Sequence, residues 1–190
     1  GDSNYLLGHI TDIHSGGTTK YRHVGYLNEL NKTWGFSLLC NAGDIGLDVG
    51  ETNDDALELM YNTKSQMNCT SPWLYCKGNH ERLRTMSELG NVFMKPMRRQ
   101  FPNIVFGDNN ELYGYIDDEN SKVRTIYLNT SDTDSQTNYA ISDEQVVWLG
   151  NTLLSTNDDY KIVILTHLCP KQIGEWTDYP GDWKTASNLV

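Results

Sequence analysis

The sequence predicts an α/β fold that continues into a second, later sheet. In the first half of the chain, short apolar runs alternate with helical segments, which is the pattern of strands joined by helices. In the second half, three strand-like runs follow one another with only turn-rich segments between them, which indicates another sheet. The 190 residues are 38% hydrophobic and 11% aromatic, a composition that excludes a disordered chain. With no internal repeat or linker, we expect one domain over residues 1–190.

The first half contains three predicted strands and the helices between them. From Lys20 to Trp34, apolar residues recur at three- and four-residue spacing, which predicts an amphipathic helix. A second helix is expected to run to about Met67 from an N-cap at Asn53 or Asp54. The side chains of the first helix that we expect to face the core are Tyr21, Val24, Leu27, Leu30 and Trp34. The predicted strands are Tyr5 to Ile10, Phe36 to Cys40 and Trp73 to Cys76.

The second half begins with an interrupted helical region and then changes to strands. Helix is expected from Arg82 to Gln100, with breaks at Gly90 and Pro96. Ser142 is a predicted N-cap, and Gln145 completes a capping box with it. In the helix that follows, the side chains that we expect to face the core are Val146, Val147, Leu149, Leu153 and Leu154. The predicted strands are Ile104 to Phe106, Leu112 to Ile116, Val123 to Leu128 and Ile162 to Leu165.

Charge and cysteine content exclude several classes of function. The formal net charge of -10 argues against non-specific binding to duplex nucleic acid, which needs a basic face. No apolar run has the length of a membrane span, no signal peptide is recognisable, and the compartment is left open. The spacing of the cysteines matches no structural zinc or redox site, and a Cys69–Cys76 disulfide would need an oxidising compartment. We expect Cys40 and Cys76 to be buried thiols.

Polar clusters stand directly after four of the predicted strands. Because ligands collect at the carboxyl ends of strands in open α/β sheets, we expect these clusters to converge. Carboxylate, imidazole and amide oxygen together suit divalent Mn, Fe, Zn or Ni better than a thiolate site would. Two such ions would also let an acidic chain accept an anionic substrate. The clusters are Asp12 with His14, Asp44, Asn79 with His80, and His167.

Each cluster has an ordinary structural explanation when it is taken alone. Asp12 can be a capping residue beside a solvated His14, and Gly43-Asp44 can be a simple turn. His167 can be a core histidine with satisfied hydrogen bonds. Gly78-Asn79-His80-Glu81 is a rarer pattern, and the ordered series of strand ends is what favours a functional site.

This series resembles the successive blocks of the calcineurin-like metallophosphoesterase superfamily. The blocks are Asp12-x-His14, Gly43-Asp44, Gly78-Asn79-His80-Glu81, Thr166-His167 and the His167-x-x-Pro170 turn. The resemblance extends from Tyr5 to Pro170 and implies a sandwich of two mixed β-sheets flanked by helices. It also implies that the chain is a phosphomonoesterase or phosphodiesterase, with a dinuclear metal centre and a bridging hydroxide.

The resemblance assigns a role to each residue of the series. Asp12 and His14 would hold the first metal ion, Asp44 would bridge both ions, and Asn79 and His167 would hold the second. His80 would act as the catalytic residue that stabilises transition-state charge and protonates the leaving oxygen. Glu81 would orient the site from behind the ligands, although a solvated carboxylate at a helix start explains it equally well.

The sequence departs from the family pattern at one point. A Gly-His-x-His block would supply one further histidine to each metal ion, and no histidine follows His167. We therefore expect that the C-terminal part of the fold is missing from residues 1–190 and that metal binding is weakened.

Two functions of different class remain after these observations. The first is a metal-dependent phosphoesterase acting on a phosphate ester, such as a nucleotide or a cell-wall polymer. The alternative is a non-catalytic binding or structural module that keeps the phosphoesterase fold within a larger bacterial or phage protein. Retention of His80 favours the enzyme, because a scaffold needs no histidine at that position.

Overall fold

The fold is built on two β-sheets. The computed structural model describes residues 4–12, 20–44, 73–79, 94–107, 112–130 and 141–168. The first sheet contains β1 (Leu7–Ile10), β2 (Leu38–Asn41) and β3 (Trp73–Tyr75), all parallel and in the order β1-β2-β3. In β2 and β3 every residue is buried, as expected for parallel strands covered on both faces.

Within the described ranges, the second sheet contains four strands in the order β4-β5-β6-β7. Neighbouring strands are antiparallel except β6 and β7, which are parallel, so the sheet is mixed. Its strands are β4 (Val105–Phe106), β5 (Gly114–Asp118), β6 (Val123–Tyr127) and β7 (Lys161–Leu165). These bounds agree with the predicted strands to within two residues, and the prediction of two sheets is confirmed.

The main hydrophobic core lies between the sheets. It contains Leu39 and Leu74 from the first sheet together with Ile116, Tyr127 and Leu165 from the second. A smaller cluster covers the other face of the second sheet, where it joins β6 to a helix through Ile126, Leu128 and Leu149. The structure is therefore a sandwich flanked by helices, as the resemblance implies.

Helix α1 (Lys20–Trp34) forms where the apolar periodicity predicts it. Gly35 ends the helix in the left-handed region, with φ of 66°, and its N–H donates to the Asn31 carbonyl at 2.8 Å. The Asn31 side chain then accepts a hydrogen bond from the N–H of Phe36 at 2.9 Å. Leu27 packs against the core, but Leu30 and Trp34 are 49% and 70% exposed, so the predicted buried face is wrong at that end.

A short helix, α2 (Lys95–Gln100), covers the outer edge of β3. The Trp73 N–H donates to Gln100 Oε1 at 3.1 Å, and the Tyr75 N–H donates to Met97 Sδ at 3.3 Å. Side chains of the helix thus satisfy strand donors that a further strand would otherwise satisfy. Residues 82–93 of the predicted helical region lie outside the described residues, and so does the predicted helix that ends near Met67.

Helix α3 (Asp143–Leu154) begins at the predicted cap, where Ser142 Oγ accepts a hydrogen bond from the Gln145 N–H at 3.3 Å. The Gln145 side chain is fully buried and bonds to both backbone groups of Asn129, at 2.8 and 2.9 Å. Leu149 is buried as predicted, whereas Val147 and Leu154 are exposed and do not face the core. Among the helices described, none is long and apolar enough to cross a membrane.

Candidate metal centre

Four of the residues singled out in the sequence meet at one end of the sandwich. Asp12, Asp44 and Asn79 follow β1, β2 and β3, whose carboxyl ends lie side by side because the strands are parallel. His167 follows β7 of the other sheet. One ligand atom each from Asp12, Asp44 and His167 lies within 4.8 Å of the others. The site therefore spans both sheets.

His167 contacts two other members of this group, Asn79 and Asp44. Its Nε2 lies 2.8 Å from Asn79 Oδ1 and 3.3 Å from Asp44 Oδ2. Its Nδ1 lies 2.7 Å from the carbonyl oxygen of Ala42, which can only accept, so Nδ1 carries a proton. The side chains of Asp44 and His167 are each 3% exposed, which keeps water from screening their interaction.

This arrangement raises the pKa of His167. Burial by itself lowers the pKa, because it disfavours the charged imidazolium. The hydrogen bond and the negative charge of Asp44, helped by the Ala42 carbonyl, act in the opposite direction and prevail, so that the pKa lies above 6.5. In the absence of metal, the charged imidazolium of His167 is therefore more favoured at a given pH than that of a free histidine.

Both aspartates of the site have a strained backbone conformation. Asp12 and Asp44 have φ of 54° and 51°, in the left-handed region that non-glycine residues rarely adopt. The Asp12 N–H donates to the Gly43 carbonyl at 3.1 Å, which connects the two loops, and Thr11 Oγ1 donates to Asp12 Oδ2 at 2.6 Å. The surrounding sheet thus holds both carboxylates in conformations that an isolated loop would avoid.

Gly43 is required by geometry. Its φ is 100°, and a Cβ at this position would lie 2.5 Å from the N and 2.6 Å from the Cα of Gly78. The same Cβ would lie 3.0 Å from His167 Nδ1. The loop that carries Asp44 can approach the backbone of Gly78 this closely only because residue 43 has no Cβ.

The remaining predicted site residues, His14, His80 and Glu81, lie outside the described residues. Two groups that sequence reasoning did not assign to the site also contribute to it. The Ala42 carbonyl fixes the protonation of His167 Nδ1, and a backbone carbonyl carries no sequence signal. Asn41 Oδ1 accepts a hydrogen bond from the Gly43 N–H, in the loop before Asp44. The sequence feature that could have indicated this role is a polar amide at the end of an apolar strand.

Comparison with known proteins agrees with this architecture. The family profile of the calcineurin-like phosphoesterases matches residues 5–187. The chain belongs to this family. Membership makes it a hydrolase acting on phosphoesters and confirms the resemblance read from the motifs. No curated protein matches the sequence significantly.

Two solved structures share the fold at low identity. A dimetal phosphatase from Danio rerio superposes with a TM-score of 0.67 at 11% identity, covering 88% of this chain and 70% of that chain. A purple acid phosphatase from yellow lupin (Lupinus luteus) seeds has a TM-score of 0.54 at 11% identity. That match covers 86% of this chain but 30% of the lupin chain, so the phosphoesterase fold is shared and the remainder of the lupin protein is not.

The donor set fits a divalent metal ion. With Nδ1 protonated, His167 Nε2 faces two oxygens that can only accept, Asn79 Oδ1 and Asp44 Oδ2. Three lone-pair donors that converge in this way repel one another unless a proton or a metal cation lies between them. Oxygen and imidazole ligands are those that Mn, Fe, Zn and Ni accept.

The two described cysteines do not contribute to such a site. Cys40 and Cys76 are buried thiols, as predicted. Burial raises the pKa of Cys40 to about 12, which keeps it protonated at neutral pH. The Cys76 Sγ donates to the Leu128 carbonyl at 2.9 Å, and Cys69 and Cys169 lie outside the described residues.

Proposed function

We propose that this chain hydrolyses phosphoesters with two divalent metal ions bound where the two sheets meet. The observation that carries the proposal is the convergence of Asp12, Asp44, Asn79 and His167 in a member of a phosphoesterase family. Asp12 and His14 would hold one ion, Asn79 and His167 would hold the other, and Asp44 would be the carboxylate shared by both. The bridging hydroxide that the resemblance implies belongs to the same proposal.

The protein groups supply orientation and charge around the ions. When bound, two divalent ions lower the pKa of water and neutralise the negative charge of phosphoryl oxygens. The Ala42 carbonyl keeps the proton on His167 Nδ1 and directs Nε2 into the site. His80, next to Asn79 in the chain, is proposed to stabilise transition-state charge and protonate the leaving oxygen, with Glu81 orienting the site.

Substrate and metal identity are part of the proposal. The net charge of -10 disfavours duplex nucleic acid and leaves small phosphate esters, such as nucleotides, or a cell-wall polymer as candidates. Hydrolysis of p-nitrophenyl phosphate and of bis-p-nitrophenyl phosphate separates phosphomonoesterase from phosphodiesterase activity. Each ester is assayed with Mn, Fe, Zn and Ni in turn, of which we expect Mn to support turnover.

Matched variants decide whether the activity belongs to this site. Asp44→Asn removes a buried carboxylate of the centre, whereas Asp159→Asn changes an exposed carboxylate before the start of β7, at the strand end opposite His167. His80→Ala is compared with His9→Ala, an exposed histidine on β1. We expect Asp44→Asn and His80→Ala to lose about a hundredfold in kcat/KM and the controls to keep theirs.

Each alternative predicts a different result. Metal binding without hydrolysis of either ester would favour the non-catalytic module and contradict the enzyme. Equal activity in Asp44→Asn and Asp159→Asn would place the chemistry elsewhere in the molecule.

A further inference from the structure

Asn41 is a buried amide at the end of an otherwise apolar strand. Strand β2 reads Leu38, Leu39, Cys40 and Asn41, all four of them buried, and Asn41 is 0% exposed. A carboxamide brings two donor hydrogens and an acceptor oxygen into the interior, and each of them needs a partner there. An apolar residue would avoid this requirement, so the amide calls for an explanation.

The acceptor of this amide holds the loop that carries Asp44. Asn41 Oδ1 accepts a hydrogen bond from the Gly43 N–H at 2.9 Å, two residues along the chain, which is an Asx turn. The Asn41 backbone is itself fixed, because its carbonyl accepts from the Cys76 N–H at 2.8 Å. On the other side, the Ala42 N–H donates to the Ile10 carbonyl at 2.8 Å. The side chain therefore extends from a rigid base.

The loop needs such a support. Gly43 and Asp44 follow each other with φ of 100° and 51°, both in the left-handed region. Relaxation of this turn would move the Asp44 carboxylate away from His167 Nε2, which it approaches to 3.3 Å. The hydrogen bond that Asn41 Oδ1 accepts from the Gly43 N–H opposes that relaxation, because it fixes the amide of the residue directly before Asp44.

The donor group of the Asn41 amide also indicates that this residue is not present for stability alone. Within the described part of the chain, buried Asn41 Nδ2 has no hydrogen-bond partner. An unsatisfied buried donor destabilises the fold. Selection for stability alone would favour leucine or valine here, so the acceptor accounts for the residue type and links it to the site.

We propose that Asn41 is a positioning residue of the metal centre: its carboxamide oxygen holds the Gly43 amide and thereby fixes the Asp44 carboxylate beside His167 and Asn79. This assignment rests on the proposed function, because it concerns the same metal site. It adds a residue that touches neither metal nor substrate and acts through the backbone of the adjoining loop.

The test compares two substitutions at Asn41 with a matched control. Asn41→Leu removes both the acceptor and the unsatisfied donor and keeps the branching and the number of side-chain heavy atoms, and Asn41→Ser restores an acceptor that reaches the same amide. Asn31→Leu is the control, because Asn31 also accepts from a backbone N–H at 2.9 Å, that of Phe36, but before the start of β2. Two quantities report on the site: the Mn²⁺ dissociation constant by calorimetry, and hydrogen exchange of the Gly43 amide in metal-free protein. The melting temperature reports on the stability of the fold.

We expect Asn41→Leu to remain folded, to lose protection of the Gly43 amide and to bind Mn²⁺ about tenfold more weakly, the equivalent of one buried hydrogen bond. Asn41→Ser recovers much of both quantities. Asn31→Leu lowers the melting temperature and leaves the Mn²⁺ dissociation constant within about twofold. A residue that only stabilises the fold would change the melting temperature without this selective loss of affinity.

The outcomes separate this inference from the function it rests on. If the wild-type protein binds Mn²⁺ and Asn41→Leu binds it equally well, the role of Asn41 is refuted and the metal centre stands. If the wild-type protein binds no Mn²⁺, Zn²⁺ or Ni²⁺, the metal centre is refuted and Asn41 loses its role with it. Should Asn41→Leu fail to fold, Asn41→Ala takes its place, because it also removes the acceptor and adds no volume: weaker Mn²⁺ binding by Asn41→Ala than by Asn31→Leu supports positioning, and equal binding overturns it.

Discussion

Replacing Gly43 by alanine should both destabilise the fold and open the metal centre. The added Cβ would lie 2.5 Å from the N and 2.6 Å from the Cα of Gly78. Both atoms belong to backbone that is anchored by β3, so neither can move as a flexible side chain would. The two loops must therefore separate, which moves Asp44 away from Asn79.

The magnitude follows from two contributions. A non-glycine residue in the left-handed region costs about 1–2 kcal/mol, and Gly43 has φ of 100°. Insertion of a methyl group into a packed contact costs about 1–3 kcal/mol. The reduced entropy of the unfolded chain offsets about 0.4–1 kcal/mol. We expect a net loss of about 2–4 kcal/mol in the free energy of unfolding.

Two other glycines provide internal standards. Gly35 has φ of 66°, but an added Cβ would meet no described atom within 4 Å, so Gly35→Ala carries the backbone cost alone, about 1 kcal/mol. Gly150 lies within α3 with open space around it, and Gly150→Ala should stabilise by about 0.5–1 kcal/mol. Urea unfolding of the three variants gives the series, and Mn²⁺ calorimetry shows whether Gly43→Ala alone weakens binding. Equal destabilisation by Gly43→Ala and Gly35→Ala would refute the close-approach argument.

The remaining predictions concern charge. Because His167 must lose its Nε2 proton to bind a metal ion, Mn²⁺ affinity should fall about tenfold per pH unit below its raised pKa, and a pH-independent dissociation constant between about pH 5 and 8 would contradict this. In the metal-free protein, stability depends on pH in the opposite direction to Mn²⁺ affinity. The His167–Asp44 pair stabilises the fold fully below about pH 6.5 and ceases to do so as the pH rises through the folded-state pKa of His167, which pH-dependent melting checks. Asp117→Asn removes a carboxylate that accepts two hydrogen bonds from Arg124, at 2.8 and 2.7 Å, and should cost about 2 kcal/mol in urea unfolding. Glu29→Gln, at an exposed pair, should cost less than about 0.5 kcal/mol, and an equal loss in both variants would show that burial does not matter here.

Strand ends were predictable from the sequence because polar residues interrupt apolar runs there. Asp12, Asp44, Asn79 and His167 each follow such a run, and the parallel order of the first three strands places them together. The Ala42 contact was not predictable, since it depends on how the end of β7 lies over the end of β2. Periodicity and run length carry no information about that distance.

For the helices, the sequence did not predict every buried residue correctly. Periodicity identified which residues of α1 share a face, but a helix of 15 residues is about 22 Å long, whereas strands of four residues are about 13 Å long. Only a part of α1 can therefore lie against these strands, and at its C-terminal end Leu30 and Trp34 are exposed. In α3, Val147 lies about 200° around the axis from buried Leu149, so the two cannot both face the sheet.

The position of the site between two sheets links its geometry to the packing of the core. The hydrogen bonds that join the sheets beside the site include those from His167 Nδ1 to the Ala42 carbonyl at 2.7 Å and from Cys76 Sγ to the Leu128 carbonyl at 2.9 Å. Thr130 Oγ1 accepts from the Leu168 N–H at 3.1 Å and fixes the chain directly after His167. Since Asp44 belongs to one sheet and His167 to the other, their separation of 3.3 Å is set by the core between them. A metal ion bound to both residues would therefore stabilise the packing of the sheets as well as the site.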